Sequence, residues 1–273
     1  MNFDEFSKLK PEDKFGNEYQ EHKLFTDLEV YIDFYDSISF SVMHWMSVGT
    51  KSIVNINTYA YSSIKGTLES IFDVLKKGRI NDAYALLRKY FDSTIINTYC
   101  NLYLEDNHSW ENLIVEKIDN WMRGKEKLPT YRVMSKYIKE SSKYTPINKL
   151  LAKDNRYQKI RIKCNDHMHY NYYHNLLIND NEIHRPNRVE YLDAFAFELG
   201  TLFIQHFVYT FYLNGHYMMS SDHVDYLDLG MTPPRDSQYW VSPPIQKVFD
   251  NKVKTARMDL ADELRNSTNM HLD

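Results

Sequence analysis

Only eight glycines and eight prolines interrupt the 273 residues of this chain. Glycine costs a helix interior about 1 kcal/mol and proline about 3 kcal/mol relative to alanine, so a chain this poor in both favours long helices joined by short turns. The clearest stripe is Ile53, Ile56, Ala60, Ile64, Leu68, Ile71, Phe72 and Leu75, where apolar residues return every three or four positions. Gly78 follows two lysines, at the place of a left-handed C-terminal cap. A second helical pattern restarts at once, with Asn81 or Asp82 as its N-cap. Residues 52–105 therefore read as a long antiparallel helical hairpin with a tight turn.

Further helices are expected over 22–46, 110–122, 130–141, 146–152, 155–178 and 188–218, with Pro129 and Pro146 near two of the starts and a loop at Pro186. After a Pro-rich loop at 230–244, a last amphipathic piece runs from 245 to 266. No internal repeat and no βαβ alternation is present, so the expected class is all-α, a helical bundle. Its expected division is a polar lead-in (1–20), a bundle (21–220) and a Pro-rich and amphipathic segment (221–273) packed on that bundle. The most apolar stretch, 195–219, is long enough to span a bilayer, but Glu198, Gln205 and His206 are costly in lipid. It reads as a buried helix of a soluble protein. Two cysteines without metal-type spacing suit a reducing cytosol, and the polar start lacks an apolar leader run, so a cytoplasmic location is expected.

The net charge of −4 points to no polyanion, but its distribution does. Residues 121–163 hold 13 Lys/Arg against 3 Asp/Glu, while the stretches on either side are net negative. Such a block is either a solvated connector or the footprint of a polyanion. It leads straight into RIKCNDHMHYNYYHNLL (161–177), which carries Arg161, His167, His169 and His174. On a helix turning about 100° per residue, Tyr157, Ile160, Cys164, Met168 and Tyr172 line a core face. Arg161, Asn165 and His169 form a row beside that face, and Lys163, His167 and His174 form a row on its other flank. Polar groups bordering a buried stripe sit where pKa values are readily tuned. His167 and His169 point about 200° apart and lack an i+4 partner, so no metal and no cofactor is expected. Arg88, in LLRKYFD, either reaches this helix as a second cation or pairs with a carboxylate inside the bundle.

The run RIKCNDHMHYN, with the leucine-bearing helix DAYALLRKYFDSTI before it, resembles the HEPN superfamily (higher eukaryotes and prokaryotes nucleotide-binding) over roughly residues 50–215. That resemblance implies an all-helical, commonly dimeric protein from a group rich in metal-independent ribonucleases of toxin and phage-defence systems. The family motif joins an Arg, often followed by a polar residue such as Asn, to a His after four to six intervening positions. Two registers can be laid on it. Arg161 and His167 have five residues between them. Alternatively Asn165 and His169 take the Asn and His places, Cys164 stands where the Arg would be, and Arg161 supplies the cation from one turn upstream. The second register gathers its three residues on one face and is the one preferred.

The implied chemistry is RNA transesterification to a 2′,3′-cyclic phosphate and a 5′-hydroxyl, with a histidine as general acid or base. Arg161 would stabilise charge on the phosphate and Asn165 would orient it. Lys153, Arg156, Lys159 and Lys163 would hold the RNA backbone, and Tyr170 and Tyr173 would stack on bases. The implied partners are RNA, a second copy of the chain in a homodimer that builds the site jointly, and an antitoxin or defence-system protein. No membrane is among them. A non-catalytic helical binding or scaffold protein with the same fold is the other class of function. Ile162, where a polar residue would follow Arg161, favours that class; the histidine density and the basic block favour the enzyme.

Overall fold

The computed structural model describes residues 5, 8–9, 14–45, 55–183 and 187–273. Half of the polar lead-in, Ser52 and Ile53 at the start of the expected hairpin, and the Pro186 loop lie outside the described residues. Among those described the chain is all-α, 73% helix with no strand. After a single helical turn at Asn17–Gln20, its helices are α1 (Lys23–Trp45), α2 (Ile56–Lys76), α3 (Ile80–Asn107), α4 (Glu116–Met122), α5 (Tyr131–Glu140) and α6 (Thr145–Leu151). Then come α7 (Arg156–Met168), α8 (Tyr173–Leu177), α9 (Val189–Asn214), α10 (Asp222–Asp228), α11 (Pro243–Val248) and α12 (Met258–Ser267). No helix among the described residues is long and apolar enough to cross a membrane.

The α2–α3 hairpin turns at Gly78 for the reason its sequence suggests. Gly78 has φ 72°. The Arg79 amide bonds the Val74 carbonyl at 2.9 Å and the Gly78 amide bonds that of Leu75 at 2.8 Å, the paired bonds of a Schellman cap. A Cβ on Gly78 would lie 2.2 Å from the Phe15 ring, so the turn needs glycine for space as well as for φ. The start of α3 departs from expectation. Asn81 and Asp82 lie inside the first helical turn, and the cap comes from a remote residue. Asn179 Oδ1 accepts the Asp82 amide at 3.1 Å, while Asn179 Nδ2 donates to Asp82 Oδ1 at 3.1 Å.

The chain divides into two units. The first comprises Met1–Tyr35, Ser63–Ser93 and Asn155–Phe203. Its core joins Leu28, Tyr31, Leu68, Ile71, Leu87, Phe195 and Leu199, all buried, with the Tyr31 and Phe203 rings stacked at 4.0 Å. Around the hairpin turn, the Arg188 guanidinium donates to the carbonyls of Gly78 (2.6 Å), Ile178 (2.8 Å) and Asp180.

The second unit comprises Asp36–Ser62, Thr94–Asp154 and Ile204–Asp273. Its core includes Tyr61, Tyr144, Phe207, Phe211 and Phe249 around a buried polar network. There Asn57 Oδ1 accepts from Asn97 Nδ2 (2.9 Å) and Asn101 Nδ2 (3.0 Å), and Asn57 Nδ2 donates to the Tyr217 hydroxyl (3.1 Å). His206 Nε2–H donates to Asn97 Oδ1 at 2.9 Å. Burial lowers the His206 pKa to about 3, so the ring stays neutral. His206 and Tyr217 of the apolar stretch 195–219 thus carry bonds inside the fold.

Three expected helices have other limits. The 110–122 helix begins only at Glu116, after a turn closed by reciprocal Ser109 and Asn112 backbone bonds of 3.2 and 3.0 Å. The 245–266 piece is broken: Phe249–Lys254 is π-helical, and Arg257, at φ −148°, stands before α12. The 155–178 helix stops at Met168 and resumes at Tyr173. This last break reshapes the candidate site.

Candidate functional site

The end of α7 repeats the cap at Gly78 without a glycine. The Asn171 amide bonds the Asp166 carbonyl at 3.0 Å, and the Tyr170 amide bonds the His167 carbonyl at 3.2 Å. Tyr170 takes the left-handed place, with φ 49°. Side chains anchor the turn: Asn171 Nδ2 donates to Asp166 Oδ1 (2.8 Å) and Asn175 Nδ2 to the Asp166 carbonyl (2.9 Å). The predicted core face therefore ends early. Ile160 and Cys164 are buried, but Met168 is exposed and Tyr172 is 62% exposed, because the chain has left the helix before Tyr172. Burial raises the Cys164 thiol to about 12, which suits a packing residue rather than a nucleophile.

Beside the buried face, Arg161 and Asn165 meet two residues of α3. Arg161 Nη1 donates to Asp92 Oδ1 at 2.7 Å. Arg88 pairs with Asp92 through its Nη1 and donates from Nε to Asn165 Oδ1 at 3.0 Å. Asp92 thus stands between two guanidiniums. Both arginines are largely withdrawn from water, with side chains 11% (Arg88) and 20% (Arg161) exposed, which strengthens their field. Planar guanidinium forks of this kind match the oxygens of a phosphate. Arg88 realises both of its expected roles: it pairs with a carboxylate and it reaches α7.

The three histidines have separate surroundings. His167 is 6% exposed, more deeply placed than a flanking row would be. Its Nδ1–H donates to Asn81 Oδ1 at 2.9 Å and its ring stacks on Tyr84 at 4.0 Å. Burial first, then the Lys163 charge, lower its pKa to about 4. His169 caps α7 and is exposed. It follows Asn165 by one turn, its amide bonding the Asn165 carbonyl at 3.1 Å. His174 is exposed on α8, with Nε2 2.8 Å from the Tyr191 hydroxyl.

Carboxylates remote in sequence meet part of the basic block. Lys163 pairs with Glu198 at 2.9 Å and lies over the Tyr84 ring. Within the second unit, Lys153 pairs with Asp259 at 2.9 Å and Lys143 with Asp106 at 3.0 Å. Lys159 is exposed and Arg156 half-buried. Tyr170 and Tyr173 are exposed, the latter at 74%, as a stacking surface requires.

Asp92, Asn81 and Tyr84 were not anticipated as members of the site. Asp92 had a signal, since it lies four residues after Arg88 on one helix. Asn81 had a misleading one, because its type and position suited a cap. Among the described residues no group of three His, Cys, Asp or Glu side chains is placed to hold a metal ion. Comparisons with protein-family models, with curated proteins and with solved structures give no match to the chain.

Proposed function

We propose that the chain is a HEPN-like, metal-independent endoribonuclease, of the kind deployed as a toxin or phage-defence effector. The observation that carries this reading is the grouping of two guanidiniums, Arg88 and Arg161, with Asp92 and Asn165, one helical turn from the accessible His169. Arg161 and Arg88 would hold the scissile phosphate, and Asn165 would orient it. His169 would take the proton of the ribose 2′-hydroxyl or give one to the leaving 5′-oxygen. The 2′-oxygen attacks phosphorus, the P–O5′ bond breaks, and the products are a 2′,3′-cyclic phosphate and a 5′-hydroxyl. His167 suits this task less well: its Nδ1–H is committed to Asn81 and its ring is buried on Tyr84. In this reading Arg156, Lys159 and Lys163 contact the RNA backbone, Tyr170 and Tyr173 stack on bases, and the active form is a homodimer. An antitoxin or defence-system protein would restrain or direct it.

The test is RNA cleavage in EDTA. His169→Ala should lower the rate roughly 100-fold or more, the usual scale for lost acid–base help. Arg161→Lys should also impair it, since an ammonium lacks the planar fork. His167→Ala should act through stability, and a well-folded His167→Ala that is inactive beside an active His169→Ala would restore the Arg161–His167 register. Sedimentation should give about twice 32.7 kDa. A second reading, a non-catalytic helical binding or scaffold protein, draws on Asp92, which already neutralises one guanidinium where a phosphate would sit. A folded dimer that cuts no RNA would establish it.

A further inference from the structure

The second unit holds a cavity of about 610 Å³, well within the range of about 300–1,000 Å³ typical of small-molecule sites. Residues 37–41 of α1, the 3₁₀ turn Gly215–Met218, α10 and the start of α11 build its walls. Those segments are tied to one another. The Ser220 amide bonds the Trp240 carbonyl at 2.7 Å, and the Ser242 amide bonds that of Met218 at 2.9 Å. Tyr217 is fixed through its hydroxyl by Asn57, so the buried polar network supports one wall. The walls are preorganised, which lowers the ordering cost of binding.

The lining has a distinct chemistry. Ile38, Tyr217, Met219 and Ile245 supply an apolar body. Asp225 and Asp228, three residues apart on one face of α10, supply two carboxylates. The Ser221 hydroxyl donates to Asp225 Oδ2 at 3.0 Å and so orients one of them. Among the described residues no lysine or arginine lines the cavity. His216 supplies no positive charge there, because burial lowers its pKa and leaves it neutral near pH 7. Two carboxylates with no lysine or arginine beside them among the described lining residues oppose phosphates and carboxylates and favour a positive group.

We infer that this cavity binds a small amphipathic organic cation, its apolar body against Ile38, Tyr217 and Ile245 and its ammonium group toward Asp225 and Asp228. The inference does not depend on the ribonuclease reading, which concerns residues of the first unit only.

Titration calorimetry of the full chain with three probes of similar size tests it: 2-phenylethylamine, 2-phenylethanol and 3-phenylpropanoate, of charge plus one, zero and minus one at neutral pH. The amine should bind one site saturably, the alcohol at least about tenfold more weakly, and the carboxylate not at all. Converting both carboxylates to amides, Asp225→Asn with Asp228→Asn, should bring the amine down to the affinity of the alcohol and leave the alcohol unchanged. Both positions are exposed, and circular dichroism checks that the variant folds. Ser37→Trp, which fills the cavity from an exposed rim position, should abolish binding of amine and alcohol together. Equal binding of the carboxylate, amine affinity that survives loss of both acids, or no amine binding at millimolar concentration would each overturn the inference. Should the double variant fail to fold, the ranking of the three probes on the unmodified chain still decides.

Discussion

The first unit ends two helices with the same pair of hydrogen bonds and different residues at the left-handed position. At α2 the residue is Gly78, φ 72°; at α7 it is Tyr170, φ 49°. For a residue with a Cβ the left-handed conformation costs roughly 1–2 kcal/mol, and for glycine almost nothing. The Gly78 turn forms because its own residue permits it. The Tyr170 turn forms because Asn171 and Asn175 hold Asp166 and because Asn179 Nδ2 reaches the Tyr170 hydroxyl at 3.4 Å. A strained turn kept by outside bonds is a common mark of a functional segment. Here it exposes His169 and the tyrosines in place of extending a helix.

Removing the clamp on the Gly78 turn should have the largest effect. Arg188→Leu strands the buried carbonyls of Gly78, Ile178 and Asp180, and should cost about 3–5 kcal/mol in urea unfolding. A loss under about 1 kcal/mol would mean that the turn stands without it. Gly78→Ala comes next, at about 2 kcal/mol, part backbone and part collision with Phe15. Gly124→Ala is its control, because Gly124 has φ 70° and open space where a Cβ would go. If the two alanines cost the same, the Phe15 contact yields without penalty.

His167, one residue before the end of α7, gives a pH-dependent comparison. Its folded pKa, about 4, lies below the ordinary value of 6.5, so its contribution is complete above pH 6.5 and is lost as pH falls toward 4. Stability should drop by about 1 kcal/mol by pH 5.5 from this group, and His167→Gln should flatten that part of the profile. His206 adds loss in the same direction, continuing to about pH 3. A profile unchanged by His167→Gln would mean that the ring keeps its ordinary pKa in the fold. The smallest change is Tyr170→Gly, which should raise stability by about 0.5 kcal/mol through relief of the backbone. A fall would mean that the Tyr170 side chain contributes more than the strain costs.

The same contrast explains which parts of the molecule were legible. The hairpin was, because a 3.6-residue apolar stripe and a capping glycine are local signals that act within one or two turns. The break at Tyr170 was not, because no glycine or proline marks it and its anchors are side-chain bonds. Arg161 and Asn165 of the expected row share a face of α7, whereas His169 stands just past the end of that helix. The partners of that row on α3, 69 and 77 residues away, were not.

Sequence alone determined the all-α class, the Gly78 turn and the concentration of proton-transfer groups in 161–177. Backbone propensity and apolar periodicity are short-range properties, and they survive without knowledge of the neighbours. Only the tertiary structure decided the charge and accessibility of those groups. Asp92 joins Arg88 to Arg161, Glu198 takes Lys163, Asn81 leaves its expected cap to bond His167, and burial keeps that ring neutral. Each of those outcomes depends on which distant side chain arrives within about 3 Å, and the Coulomb and desolvation energies that set ionisation follow that distance and the surrounding burial.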